Sequence, residues 1–162
     1  MNISSPLAPT LALLILASPA ATSVARAQGS AAPRALVRQV LAPYESIRAA
    51  LATDSTDGVA RHARRIQAIV RGGGAEATRS LGALSRAAGR VAGASDIAAA
   101  RAAFGALSTA LIRLLEADPQ LRRGLHRFQC PMAHESWVQP SAQLQNPYMG
   151  TQMATCGGPV SW

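Results

Sequence analysis

The sequence predicts an all-α protein: an antiparallel (up-down) four-helix bundle followed by an irregular C-terminal tail that contains cysteine, methionine and tryptophan. Two observations predict this fold. Apolar residues recur at helical spacing in four segments with short connections, and none of these segments alternates as a strand does. From Phe128 onward the periodicity stops, and proline or glycine interrupts the chain every few residues. The 162 residues suffice for one domain with a modest core.

The first helix carries apolar residues at steps of three and four, which places them on one face. These residues are Val37, Val40, Tyr44, Ile47 and Leu51. Pro43 lies inside the pattern and predicts a kink or a restart, because proline has no backbone N–H. The stretch ATDSTDG then interrupts the pattern and offers Asp54, Ser55 or Asp57 as a cap for the next helix.

The second helix is expected from about Thr56 to Val70 and ends at the run of three glycines, residues 72–74. The third helix is rich in alanine, and its inward positions are Leu81, Leu84, Ala88 and Val91. The fourth follows Asp96, repeats apolar residues by three and four, and ends at Asp118-Pro119. Its apolar positions are Ile97, Ala100, Phe104, Leu107, Leu111 and Leu114.

We expect three parts along the chain: a signal peptide at residues 1–27, the helical bundle at residues 28–127, and the tail at residues 128–162, packed on the bundle within one domain. The first part has an apolar run followed by Ala25-Arg26-Ala27, a small-x-small cleavage pattern. Cleavage at this pattern predicts a periplasmic or secreted protein without a transmembrane anchor.

The chain is strongly basic, with a formal net charge of +8, and every basic residue apart from histidine is arginine. The arginines are dispersed singly or in pairs along the predicted helices, without aromatic residues between them on which bases could stack. Together with export, this dispersion argues against nucleic acid as a partner. We interpret the arginines as a solvated helix surface that is able to touch anionic lipid.

Both cysteines and three of the four methionines lie between Cys130 and Cys156. Thiolate and thioether sulfurs select Cu(I), and by extension Ag(I), over hard cations. In an exported protein two cysteines also form a disulfide by default, and closing this loop would stabilise the fold by about 3–4 kcal/mol. Spacing and export alone favour the disulfide over the metal, and both interpretations stay open at this point.

No set of residues fills the roles of an active site, so we expect no enzyme and no catalytic residue. Cys130 with His134 or His126 could be imagined as a nucleophilic pair. Neither pair has an orienting carboxylate or an oxyanion hole that the sequence identifies.

The tail carries several uncommon residue types in a particular order. They are Cys130-Pro131-Met132-Ala133, Trp137, Gln139, Asn146-Pro147-Tyr148, Gly150, Met153 and Cys156-Gly157. In this order they resemble the signature of a family of small exported bacterial domains of unknown function. That family occurs alone and fused to the periplasmic adaptor subunits of copper and silver (heavy-metal) efflux systems. The resemblance extends from about Ala42 to Gly157 and includes Tyr44 and Phe104 in the helical part.

The resemblance implies a periplasmic protein that binds Cu(I) or a similar soft metal ion and sequesters it or hands it over. It implies a heavy-metal efflux adaptor, or another periplasmic protein, as a partner. The segment Asn146-Pro147-Tyr148 and Trp137 would shape and pack the site. By position the metal ligands would be Cys130, Met132, Met153 and Cys156, with His134 and Met149 as a second tier because the family has other residues there.

The alternative to metal binding is a structural or protein-interaction module. In that case a Cys130–Cys156 disulfide would staple the tail, and a face of the bundle would bind the partner.

Overall fold

The computed structural model describes the backbone of residues 20–162 and the side chains of residues 33–162, together with Met1. Five α-helices come first: α1 (Ala20–Ala52), α2 (Val59–Gly72), α3 (Gly74–Ser80), α4 (Gly82–Ala92) and α5 (Ile97–Ala117). Three strands follow: β1 (His126–Cys130), β2 (Glu135–Gln139) and β3 (Gly158–Pro159). Two short 3-10 turns cover Pro119–Arg122 and Gly150–Met153. The predicted signal peptide at residues 1–27 lies mostly outside the described residues and stays a prediction.

The prediction of a mainly helical protein is confirmed. Helix α2 packs against α1 and α4, α4 packs against α5, and α1 also contacts α5. Most residues predicted to face inward are buried in one core, among them Ile47, Ile66 and Leu111. Ile97 and Leu114 are only partly buried. The up-down order of the helices stays a prediction.

The predicted number of helices is wrong, because the structure has a fifth, short helix, α3, directly after the glycine run. We expected the glycines to end a helix, and α2 does end at Gly72. The chain then turns at Gly73 and resumes a helix at Gly74, whose φ of 76° suits glycine. Seven residues with one buried side chain, Ala77, are too few to show a periodic pattern in the sequence.

Two local predictions about helix ends also change. Helix α1 continues through Pro43, so it does not restart there. The N-cap of α2 is Gly58, so none of the predicted residues Asp54, Ser55 and Asp57 caps this helix with its side chain. Helix α5 does begin after Asp96, whose carboxylate accepts a hydrogen bond of 2.8 Å from the Ala99 N–H.

The predicted irregular tail is wrong in part, since the chain forms a three-stranded antiparallel sheet in the order β2-β1-β3. In the β1–β2 hairpin, Phe128 lies opposite Trp137 and Cys130 lies opposite Glu135. In the β1–β3 pair, Gln129 lies opposite Gly158. Strand β1 has only two buried residues, and strands this short, placed between prolines and glycines, give too little alternation to be recognised.

A row of aromatic rings joins the tail to the bundle. Phe104 of α5 lies between Tyr44 of α1, with ring centroids 5.1 Å apart, and Tyr148 of the tail, at 5.8 Å. Trp137 of β2 contacts Tyr148 at 5.9 Å and Phe128 of β1 at 5.6 Å. We call these five residues the aromatic row. Such rings bury large apolar areas, so the row fixes the sheet against α1 and α5.

Among the described residues, α5 is the helix that is long and apolar enough to cross a membrane. Its residues Phe104, Leu107 and Leu111 are fully buried in the core, and the helix packs on α4 and β2. Its high hydropathy is therefore explained by its central position in the fold.

Candidate functional site

The two cysteines come together where β1 and β3 pair. Cys130 is the last residue of β1, and Cys156 comes two residues before β3. Because β3 runs antiparallel to β1, with Gly158 opposite Gln129, the two cysteines lie side by side. Their Sγ atoms are 3.3 Å apart, and both are free thiols. Cys130 is fully buried, whereas Cys156 is half-buried.

The separation of the two sulfurs suits two kinds of chemistry. A disulfide needs an S–S distance of about 2.05 Å. A tetrahedral ion with metal–sulfur bonds of about 2.3 Å holds two sulfurs about 3.8 Å apart. The 3.3 Å between Cys130 Sγ and Cys156 Sγ lies between these values. Small side-chain rotations would therefore bring the pair to either geometry.

Backbone amides of the β1–β2 turn surround the sulfur of Cys130. The Ala133 N–H donates to Cys130 Sγ at 3.4 Å, and the Met132 N–H also points to this sulfur. Burial raises the pKa of the Cys130 thiol, but these amides, the Cys156 thiol and the Asn146 side chain stabilise the thiolate. The net effect is a lowered pKa.

The second thiol behaves in the opposite way. The hydrogen bond between the two sulfurs, together with burial, raises the pKa of the Cys156 thiol. The surroundings therefore favour the thiolate at Cys130 over the thiolate at Cys156.

Glu135 lies opposite Cys130 in the β1–β2 pair and so shares its face of the sheet. Its carboxylate rests against α5 at Gly105, where an added Cβ would overlap it. Burial raises the pKa of Glu135, which makes it a weaker source of negative charge beside the thiolate.

The two methionines predicted as ligands border the cysteine pair. Met132 lies in the turn after Cys130, and its N–H also approaches the Cys156 sulfur. Met153 ends the second 3-10 turn, and its carbonyl accepts a 2.9 Å hydrogen bond from the Cys156 N–H. Their side chains are 65 % and 42 % exposed. Among the described side chains, Met1 apart, these are the exposed large apolar residues.

The second-tier candidates have different environments. His134 is exposed, has a φ of 54°, and lines a depression together with Arg113 and Glu116 of α5. Met149 is half-buried and packs against the core. The described residues contain no group of three or more His, Cys, Asp or Glu side chains that could hold a metal ion.

Asn146 organises the loop that leads to Cys156. It is fully buried, and its Nδ2 donates to the Cys156 carbonyl at 2.7 Å. Its Oδ1 accepts the N–H groups of Tyr148, at 2.8 Å, and Met149, at 3.1 Å. The sequence led us to expect that Asn146 shapes the site, but not that it reaches the backbone of the second cysteine.

A second anchor holds the 3-10 turn that carries Met153. Asp54, just after α1, accepts a 2.6 Å hydrogen bond from Arg101 of α5 and a 2.9 Å one from the Thr151 N–H. Gly150 has a φ of 62° at this point, and an added Cβ would overlap the Asp54 carboxylate. We call Asp54, Arg101 and Thr151 the Asp54 latch. The latch was not predicted, because the sequence around Asp54 indicates a cap for the next helix and gives no sign of a contact with Thr151.

Buried polar groups of the bundle and sheet support the same loop. Arg48 of α1 is 3 % exposed, pairs with Glu45, and donates to the Gln145 carbonyl at 2.9 Å. Gln139 of β2 accepts a 2.9 Å hydrogen bond from Trp137 Nε1 and donates to two loop carbonyls. The fold therefore anchors the loop before Cys156 at several places.

Comparison with known proteins returns nothing for this chain: no protein-family model, no curated protein and no solved structure matches it. The resemblance to the domain of heavy-metal efflux systems therefore stays a prediction.

Proposed function

We propose that the protein binds Cu(I) or a similar soft ion such as Ag(I) and sequesters it or hands it over in the periplasm. The observation that carries this proposal is the pair of free thiols, with Sγ atoms 3.3 Å apart. Met132 and Met153, both exposed, approach Cys156 through their backbones. Thiolate and thioether ligands together favour soft monovalent ions over Mg²⁺ or Ca²⁺. Cys130, Met132, Met153 and Cys156 are the proposed ligands.

The protonation of the thiols makes binding depend on pH. The turn amides lower the pKa of Cys130 and so favour its thiolate. Cys156 must lose its proton when the ion binds, because the thiolate is the ligand. The affinity is therefore expected to fall as the pH is lowered.

The exposure of the site supports transfer more than catalysis. Cys156 is half-buried and both methionines are exposed, so an acceptor protein could reach a bound ion from solvent. We propose a heavy-metal efflux adaptor or another periplasmic protein as that acceptor, and no reaction on a substrate. Nucleic acid is not a proposed partner.

A second candidate function rests on the same distance. Oxidation of the two thiols would staple the loop before Cys156 to β1 and leave a structural or interaction module. The closed loop would constrain the unfolded chain by about 3–4 kcal/mol. In this case the cysteines would serve stability alone, and a partner would bind the helices.

Anaerobic titration of the reduced protein with Cu(I), against a competing chelator and with thiols counted before and after, tests the proposal. We expect one ion per chain and loss of binding in Cys130→Ser and Cys156→Ser. Met132→Leu and Met153→Leu keep the apolar volume but remove the thioether, so each should weaken binding at least tenfold, about 1.4 kcal/mol. Met149→Leu is the matched control and should bind as the wild type does.

Two results would contradict the proposal, the first by excluding metal binding and the second by excluding the methionine ligands. One is a purified protein without free thiols whose reduced form binds Cu(I) no better than an unrelated dithiol. The other is an unchanged affinity in Met132→Leu and Met153→Leu, which would remove the thioethers from the site. The first result would support the disulfide staple.

A further inference from the structure

We propose that Cys130 and Cys156 form a redox pair that undergoes thiol–disulfide exchange with an external thiol, with Cys156 as the attacked sulfur and Cys130 as the leaving thiolate. The inference rests on the same cysteine pair as the proposed function and describes its regulation. It needs no metal, so it can be tested separately.

Access to the two sulfurs differs. Cys130 has no exposed surface, because it closes strand β1 beneath the turn of residues 131–134. Cys156 is half-buried and lies outside the strands, between the second 3-10 turn and β3. A thiolate that approaches the oxidised pair from solvent therefore reaches Cys156 first.

The surroundings of Cys130 suit a leaving thiolate. The Ala133 N–H donates to its sulfur at 3.4 Å, and the Met132 N–H and the Asn146 amide also point to it. Hydrogen bonds from these groups stabilise the negative charge of a thiolate that leaves Cys130, and in thiol–disulfide exchange a stabilised thiolate leaves faster. Access and leaving-group ability thus select the same direction of attack.

The exchange takes place in two balanced steps. The external thiolate attacks Cys156 Sγ; a new S–S bond forms, the Cys130–Cys156 bond breaks, and its electron pair remains on Cys130 as a thiolate. A second external thiolate then attacks the external sulfur of the mixed disulfide and releases Cys156, which takes up a proton. Two external thiols are oxidised to one disulfide, and the protein disulfide is reduced to two thiols.

Exchange would control the metal site directly. An oxidised pair has no thiolate to donate, so only the reduced protein can bind a soft ion. The redox state of an external thiol pool or of a dithiol protein would then decide how much of the protein is able to bind.

Glutathione is the probe for a test. The oxidised wild-type protein is mixed with reduced glutathione, quenched with acid and mapped by mass spectrometry. We expect at least ten times more mixed disulfide on Cys156 than on Cys130. In the reverse direction, the reduced variants are mixed with glutathione disulfide. In Cys130→Ser, a mixed disulfide of glutathione with Cys156 should accumulate. In Cys156→Ser, the mixed disulfide with Cys130 should form at least tenfold more slowly.

Each outcome decides the proposal. Glutathione mainly on Cys130, or equally on both cysteines, overturns the direction of attack. Failure of the wild type to form the disulfide or a mixed disulfide overturns the redox pair itself. If Cys130→Ser does not fold, the wild-type map decides alone. The double variant Met132→Leu/Met153→Leu should show the same distribution of glutathione between the two cysteines as the wild type, even though it no longer binds Cu(I). This result separates the redox proposal from metal binding.

Discussion

At the scale of single residues, Asn146 does more for the site than its position in the sequence indicates. One buried amide joins the Cys156 carbonyl to the N–H groups of Tyr148 and Met149. Asparagine suits this place because its side chain offers donors and an acceptor at one point. Without it, three partly buried backbone groups would lose this hydrogen-bond partner, and one anchor of Cys156 beside Cys130 would be gone.

Replacing the Asn146 side chain should therefore destabilise the fold. We expect Asn146→Ala to lower the free energy of unfolding by about 1–3 kcal/mol, because partly buried backbone groups are left unsatisfied. Urea unfolding followed by circular dichroism measures the change. Gln143→Ala, at an exposed position in the same loop, is the control and should stay within about 0.5 kcal/mol of the wild type. Equal effects of both substitutions would contradict this role of Asn146.

Residue types revealed the cysteine pair but not its surroundings. The count of cysteines and the predicted export were enough to predict that Cys130 and Cys156 meet. The hydrogen bond from the Ala133 N–H to Cys130 comes from the backbone, and any residue except proline would have that N–H. Residue types do not show where backbone N–H groups point. The opposite pKa shifts of the two thiols are therefore visible only in the structure.

At the scale of elements, the Asp54 latch connects the end of α1, helix α5 and the 3-10 turn before Cys156. The hydrogen bonds from Thr151 and Arg101 hold the pKa of the Asp54 carboxyl well below its usual range. A carboxylate whose pKa is lowered on folding stabilises the fold above its unfolded pKa. That contribution is lost as the pH falls through the folded pKa.

The latch therefore predicts a pH-dependent difference in stability. Asp54→Asn should lower the Tm at pH 7, because the ion pair with Arg101 is lost. The difference from the wild type should stay constant above about pH 5. It should shrink as the pH falls below about 4, because the Asp54 carboxyl of the unfolded chain then takes up a proton while that of the folded protein stays ionised. Thermal unfolding of both proteins across this range measures it. The control is Asp57→Asn, at an exposed position in the same loop between α1 and α2. A difference that grows towards low pH would refute the latch.

Long elements were predictable, and short ones were not. Helix α5 shows six apolar positions in register and ends at Asp118-Pro119, so its bounds follow from the sequence. Helix α3 and strand β3 have seven and two residues, and their conformation depends on the neighbours they pack against. Local periodicity cannot report such contacts, because they join residues far apart in the chain.

At the scale of the whole molecule, the aromatic row makes the sheet part of the same core as the helices. Phe104 contacts Tyr44 on one side and Tyr148 on the other, and Trp137 continues the row into the sheet. The Tyr44 hydroxyl also hydrogen-bonds Ser108 of α5 and accepts the Val138 N–H of β2. A shared core of this kind favours unfolding of bundle and tail in one cooperative step.

The two tryptophans make this cooperativity measurable. Trp162 is half-buried beside Arg122, so Trp162→Phe should be tolerated and would leave Trp137 as the single tryptophan. In this variant, Trp137 fluorescence reports the sheet and far-UV circular dichroism reports the helices. We expect the two urea midpoints to agree within about 10 %.

Adding Phe104→Ala should lower the free energy of unfolding by about 3–5 kcal/mol, so both urea midpoints should fall together. A fluorescence transition at lower urea than the helix transition would show that the cysteine-bearing tail unfolds on its own. Its thiols would then be reachable without unfolding of the bundle.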